Sequence, residues 1–229
     1  MKNFKNSSRP RTAFTLIELL IVIAILAILA AMIFPVVGAV NRNKQLKTAQ
    51  TQLQALALAI DSYKTKLGFY PPDNTNNVVT NQLYFELMGT TNRITAGVPD
   101  LWVTLDGSAQ IGTGTTPNIA EVFGVRGIAN STTHTHSDDN ASSASSFLNN
   151  LTPNQIGSLT PDIKILVCSV TWPPEKTPAP IPSNPALNPF HYVSAHPANN
   201  TGTYDLWVDI VIGGKTNRVC NWSPQPIKL

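Results

Sequence analysis

Sixteen consecutive apolar residues, Leu19 to Phe34, constrain this chain more than any other feature. A helix built from them has no polar face to turn toward water, which rules out an ordinary surface helix. Extended back to Phe14, the segment has twenty-one residues. At about 1.5 Å per residue it covers roughly 31 Å, close to the hydrocarbon depth of a bilayer. Lys2, Lys5, Arg9 and Arg11 precede it with no acid among them, a flank that holds an N-terminus in the cytoplasm. Arg42, Lys44 and Lys47 on the far side weaken that bias. A removable secretory signal has a shorter apolar core and a small-residue cleavage site, which the AMIFP stretch does not supply. The segment therefore reads as a membrane span.

Glu18 is the one acid inside this segment. An ionised side chain near the centre of a bilayer costs roughly 2.5–3.5 kcal/mol on insertion scales, and such residues usually mark a function. Two arrangements are open. At shallow depth the carboxylate reaches the headgroups; deeper, it needs a cation delivered to the same level.

The basic leader, the small residue Ala13, the run Phe14-Thr15-Leu16-Ile17-Glu18-Leu19 and the apolar helix together resemble the class III signal of type IV pilins and type II secretion pseudopilins. The resemblance implies cleavage by a prepilin peptidase between Ala13 and Phe14, methylation of the new Phe14 amine, and pairing of Glu18 with a terminal amine during assembly. Pro35, twenty-one residues after Phe14, stands where pilin helices often carry a helix-melting proline. Ala13 departs from the pattern, which usually has glycine there. The implied partners are other copies of the chain in a helical filament, the prepilin peptidase, an inner-membrane platform protein, a secretion ATPase and other pseudopilins.

Beyond Gly38, Leu46, Ala49, Leu53, Leu56, Ile60, Tyr63 and Leu67 recur at spacings of three and four, an apolar helical stripe. Lys44, Gln45, Lys47, Gln50, Gln52 and Asp61 occupy its other faces, so this half should lie in water with one side on a domain. Gly68 and Pro71-Pro72 close the helix. The junction DSYKTKLGFYPPDN, Asp61 to Asn74, is similar to that of major pseudopilins.

With 229 residues, 42% apolar and 13% charged, the rest of the chain suits one domain. The expected division is a leader at 1–13, a transmembrane and assembly helix at 14–40, an amphipathic helix at 41–68 and a periplasmic domain at 69–229, with a polar loop at about 130–150. A short helix is expected over Asn81 to Met88. Strand-like stretches are Ile163 to Val170, Phe190 to Ala195, Tyr204 to Ile212 and Arg218 to Trp222. The fold class is thus α+β, a long N-terminal helix packed on a small antiparallel sheet. In the third strand Tyr204, Leu206, Val208, Ile210 and Ile212 share the face toward the helix, while Asp205, Trp207 and Asp209 point away.

The C-terminal order NPFHYVSA, YDLWVDIVIGGK and CNW loosely resembles the end of major pseudopilins, several of which bind calcium there. That resemblance makes Asp205 and Asp209 the calcium candidates, although a shared solvent face gives the same pattern; no cofactor is required. Cys168 and Cys220 are either a disulfide of an exported domain or two core thiols. His134 and His136, followed by Asp138 and Asp139, sit in a Ser/Thr/Asn-rich tract and read as a solvated loop rather than a metal site.

The expected function is a structural filament subunit, not an enzyme, held in the inner membrane before assembly and serving type II secretion. The competing reading is a membrane-anchored periplasmic enzyme or binding domain. GxSxG, HExxH and a phosphate-binding glycine loop are all absent, and His191, His196 and Asp205 have only sequence proximity. A DNA-uptake pilin needs a basic patch; the net charge of +3, with Lys215, Arg218 and Lys228, offers no reason to expect nucleic acid.

Overall fold

The computed structural model describes residues 15–93, 100–133, 143–148 and 151–229. Helix α1 runs Leu16–Leu67, and the chain divides into two compact units, one through Asn43 and one from Lys44 to Leu229. In the first unit the described large side chains from Leu16 to Leu29 are exposed. Among the described residues no helix is long and apolar enough to cross a membrane. The predicted span, Phe14 to Phe34, extends beyond them at its N-terminal end, since Phe14 lies outside the described residues.

In the second unit α1 buries Ala49, Leu53, Leu56, Ala59, Ile60 and Tyr63, with Leu46 and Leu67 packed at the margins. This is the stripe read from the 3.6-residue period. Gly68 ends the helix in the left-handed region at φ +86°, and its N–H donates to the Lys64 carbonyl at 2.9 Å. Only glycine adopts that backbone without steric cost.

Among the described residues two four-stranded sheets and a hairpin complete the fold, which has the expected α+β class with more strands than the one small sheet read from sequence. The first sheet holds β1 (Thr90–Arg93), β2 (Leu101–Thr104), β3 (Gln110–Gly112) and β4 (Ser131–Thr133), in the order β3-β2-β1-β4. Its β1/β4 pair is parallel and the others antiparallel. Strands of three or four residues, rich in Thr, Asn and Ser, carry too little apolar alternation to announce themselves. Helix α2 (Leu83–Met88) lies within the predicted 81–88, and α3 (Ile119–Phe123) starts at a capping box between Asn118 and Glu121.

The hairpin pairs β5 (Ile156–Ser158) with β6 (Lys164–Leu166). The second sheet, antiparallel throughout, has the order β10-β9-β8-β7 and comprises β7 (His191–Val193), β8 (Asp205–Ile212), β9 (Lys215–Cys220) and β10 (Ser223–Lys228). Leu206, Val208 and Ile210 of β8 are buried, as period two requires. Strand β10 reads SPQPIK, and its two prolines hid it; an edge strand tolerates missing N–H donors. Tyr204, just before β8, ties this sheet to α1 by donating to the Ala57 carbonyl at 3.2 Å.

Candidate functional site

The N-terminal site begins at Thr15, since Ala13 and Phe14 lie outside the described residues. Glu18 occupies the first turn of α1. Its Oε2 accepts from the Thr15 N–H at 2.9 Å and from Thr15 Oγ1 at 2.7 Å, while the Glu18 N–H faces Thr15 Oγ1 at 3.3 Å. This is a reciprocal cap: each side chain satisfies an N–H that a helix N-terminus leaves unpaired. A carboxylate there also meets the positive end of the helix dipole. The T-x-x-E spacing is a signal of such a cap in the sequence itself.

Helix α1 is continuous through Pro35. A proline inside a helix cannot donate to the carbonyl four residues back, so the helix is weakest there.

Of the C-terminal candidates, Asp205 and Asp209 are not brought together. They stand four residues apart on β8, roughly 13 Å at about 3.3 Å per residue. Asp205 is 3% exposed and accepts three hydrogen bonds from Asn199 and Asn200. Asp209 is held by Arg218 at two points, Nε to Oδ1 at 2.8 Å and a terminal nitrogen to Oδ2 at 2.9 Å. Among the described residues no group of three or more His, Cys, Asp or Glu side chains converges as a metal set. His134, His136, Asp138 and Asp139 lie outside the described residues.

Of the two alternatives for the cysteines, the structure has the core thiols: Cys168 and Cys220 are both free and buried. The segments carrying them meet different flanks of α1. Ser169, beside Cys168, exchanges hydrogen bonds with Gln52 at 2.7 and 3.0 Å, whereas Cys220 shares a groove with Gln50, Leu53, Gln54 and Ala57. Burial pushes the Cys168 thiol up to about 11.

His191 does not meet Asp205; it stacks on Trp207 with centroids 4.9 Å apart, and burial pushes its pKa down to about 4. Arg218, bound to Asp209, also lies over Trp207, so one of the three C-terminal cations is committed internally.

One polar centre gave no signal in the sequence. Glu86 of α2 is fully buried and accepts from Ala129 N–H at 2.8 Å, Asn130 N–H at 2.9 Å and the Tyr63 hydroxyl at 2.9 Å. Burial raises its pKa, and the three donors pull the other way. This is an architectural joint between α1, α2 and the start of β4.

With this geometry in place, comparison with known proteins bears on the N-terminal site. Residues 8–34 match the prokaryotic N-terminal methylation motif. The motif spans Ala13, Phe14 and Glu18, and supports a type IV pilin-like subunit processed at its N-terminus. It implies a prepilin peptidase, membrane anchoring and then assembly into pilus-like filaments, and it belongs to structural rather than enzymatic proteins. No curated protein and no solved structure matches the chain significantly.

Proposed function

We propose that the chain is a structural subunit of a pseudopilus serving type II protein secretion. The observation that carries this reading is the methylation motif at residues 8–34 leading directly into a helix whose described large side chains from Leu16 to Leu29 are exposed. An apolar helix surface of that extent needs lipid or other helices around it.

In this reading the helix of residues 14–40 crosses the inner membrane once, with the leader in the cytoplasm and residues 69–229 in the periplasm. Prepilin peptidase cuts between Ala13 and Phe14, and the Phe14 amine is methylated. Glu18 caps its own helix through Thr15 in the single chain, and in the filament receives the cationic amine of another copy. A carboxylate and an amine left apart in low dielectric are each costly, so the pairing fixes subunit register. Pro35 weakens the helix where the filament bends or melts it. The exposed Leu58 and the apolar groove beside it, lined by Leu56, Ala59, Phe147 and Phe190, supply lateral packing surface. Platform protein, ATPase and other pseudopilins complete the machine, and nucleic acid has no role. The helix stop at Leu67-Gly68 followed by Tyr70-Pro71-Pro72, with the Tyr204-Asp205-Leu206 strand, favours the secretion branch.

Mass spectrometry of the protein from its native membrane tests the processing step. A chain beginning at N-methylated Phe14 is expected, and an intact Met1 terminus refutes the reading. Glu18→Ala should leave insertion and cleavage unchanged while abolishing filaments seen by electron microscopy; normal filaments from this variant would remove the pairing role.

A further inference from the structure

The turn between β7 and β8, residues 194–204, closes on two carboxylates. Asp73 Oδ2 accepts from the N–H groups of Ser194 at 3.0 Å and Ala195 at 3.2 Å. At the other end Asp205 Oδ2 accepts from Asn199 N–H at 2.9 Å and Asn199 Nδ2 at 3.0 Å, and Oδ1 accepts from Asn200 N–H at 2.8 Å. Both acids are buried. The neighbouring carbonyls are also occupied. Tyr204 O receives Asn200 Nδ2 at 3.0 Å and Asn221 Nδ2 at 2.9 Å, and Pro71 O receives the Tyr192 hydroxyl and Ser194 Oγ, each at 2.9 Å.

The calcium suggested by the C-terminal resemblance does not fit this arrangement. Calcium needs six to eight oxygen lone pairs converging at about 2.3–2.6 Å. Here the oxygens of Asp205 point at the positive ends of N–H bonds, which repel a cation, and Asp209 is spent on Arg218. We propose that the β7–β8 turn is a metal-free clamp, in which backbone and asparagine N–H groups take the place of a divalent cation on Asp205 and Asp73. Charge-assisted hydrogen bonds are about twice as strong as neutral ones, and five of them fix both ends of the turn. The turn is therefore formed at any calcium level, whether or not the chain assembles.

The test uses the full chain in detergent micelles, stripped with EDTA and then titrated with calcium chloride, followed by thermal unfolding and by titration calorimetry. The clamp predicts an unchanged midpoint and no saturable heat. A site filled a hundredfold over its Kd would raise the midpoint of a domain this size by roughly 5–10 °C. A saturable rise of that kind, lost in Asp205→Asn, overturns the proposal. Asp205→Asn, which keeps the side chain's shape but turns one of its two acceptor oxygens into an NH2 donor facing an N–H, should lower the midpoint by roughly 3–10 °C equally with EDTA or calcium. An unchanged midpoint in that variant also overturns the clamp. Should it fail to fold, the wild-type titration decides, and Asn199→Ala, which removes one donor only, replaces it with a smaller fall.

Discussion

Tyr63→Phe isolates one bond of the buried joint at Glu86. The ring packs against Phe69 and Phe147, with centroids 5.8 and 5.4 Å away, and phenylalanine keeps those contacts. What is lost is the hydroxyl that donates to Glu86 Oε2 at 2.9 Å. A hydrogen bond to a charged group contributes about 1.5–3 kcal/mol, because the carboxylate left behind cannot recruit water at a fully buried position. For a unit of this size that loss lowers the thermal midpoint by roughly 3–12 °C. Circular dichroism of the purified chain in detergent, with denaturant titration for the free energy, measures it.

The same variant carries a pH signature whose sign is fixed. Burial raises the native pKa of Glu86 above its ordinary 4.5, so the folded state holds its proton to higher pH than the unfolded chain does. The stability Glu86 contributes is complete below the unfolded value and is lost as pH rises through the native one. The Tyr63 hydroxyl opposes that loss by favouring the ionised form. Without it the native pKa rises further, and the penalty of Tyr63→Phe should grow as pH is raised from the ordinary carboxylate value of 4.5 upward. A penalty below about 0.5 kcal/mol, or one that is flat across that range, refutes a charge-assisted joint.

Two further outcomes follow from local geometry. Gly89→Ala should be strongly destabilising, with a midpoint lowered by several degrees in the same assay: its φ is +72°, and an added Cβ would stand 2.9 Å from the Ser145 carbonyl oxygen. Wild-type stability in that variant would mean that Ser145 does not lie against α2 in solution. For the cysteines, the native protein should resist alkylation and yield two free thiols after denaturation without reductant, with a midpoint indifferent to reductant. Recovery of no thiols would show the disulfide that the structure lacks.

What the sequence revealed and what it hid divide along the lines of periodicity. The Leu46 to Leu67 stripe and the alternation in β8 could be read because one buried face imposes a repeat on residue type, and a repeat survives without knowledge of the partner. The first sheet could not: strands such as Thr90–Arg93 and Ser131–Thr133 are fixed by pairing with distant short segments, and nothing local records that. The acids show the same division more sharply. Glu18, Glu86, Asp205 and Asp209 are alike in composition, and Glu18 alone is marked by its own position, because it interrupts an apolar run. The other three are defined by what donates to them: two backbone amides and a tyrosine for Glu86, asparagines for Asp205, an arginine for Asp209. Those donors lie from five to forty-four positions away in the chain. Their identity decides whether an acid stiffens a joint, closes a turn or holds an ion. Asp205 and Asp209 became calcium candidates through the C-terminal resemblance, and a match of acids along one strand counts acceptors while saying nothing of donors. Glu18 differs in kind, because its local partner, Thr15, lies three residues away in the same motif, and the proposed second partner belongs to another copy. A carboxylate that caps its own helix and still awaits a cation is suited to an assembly step, since the cap holds it in place at the helix start before the amine arrives.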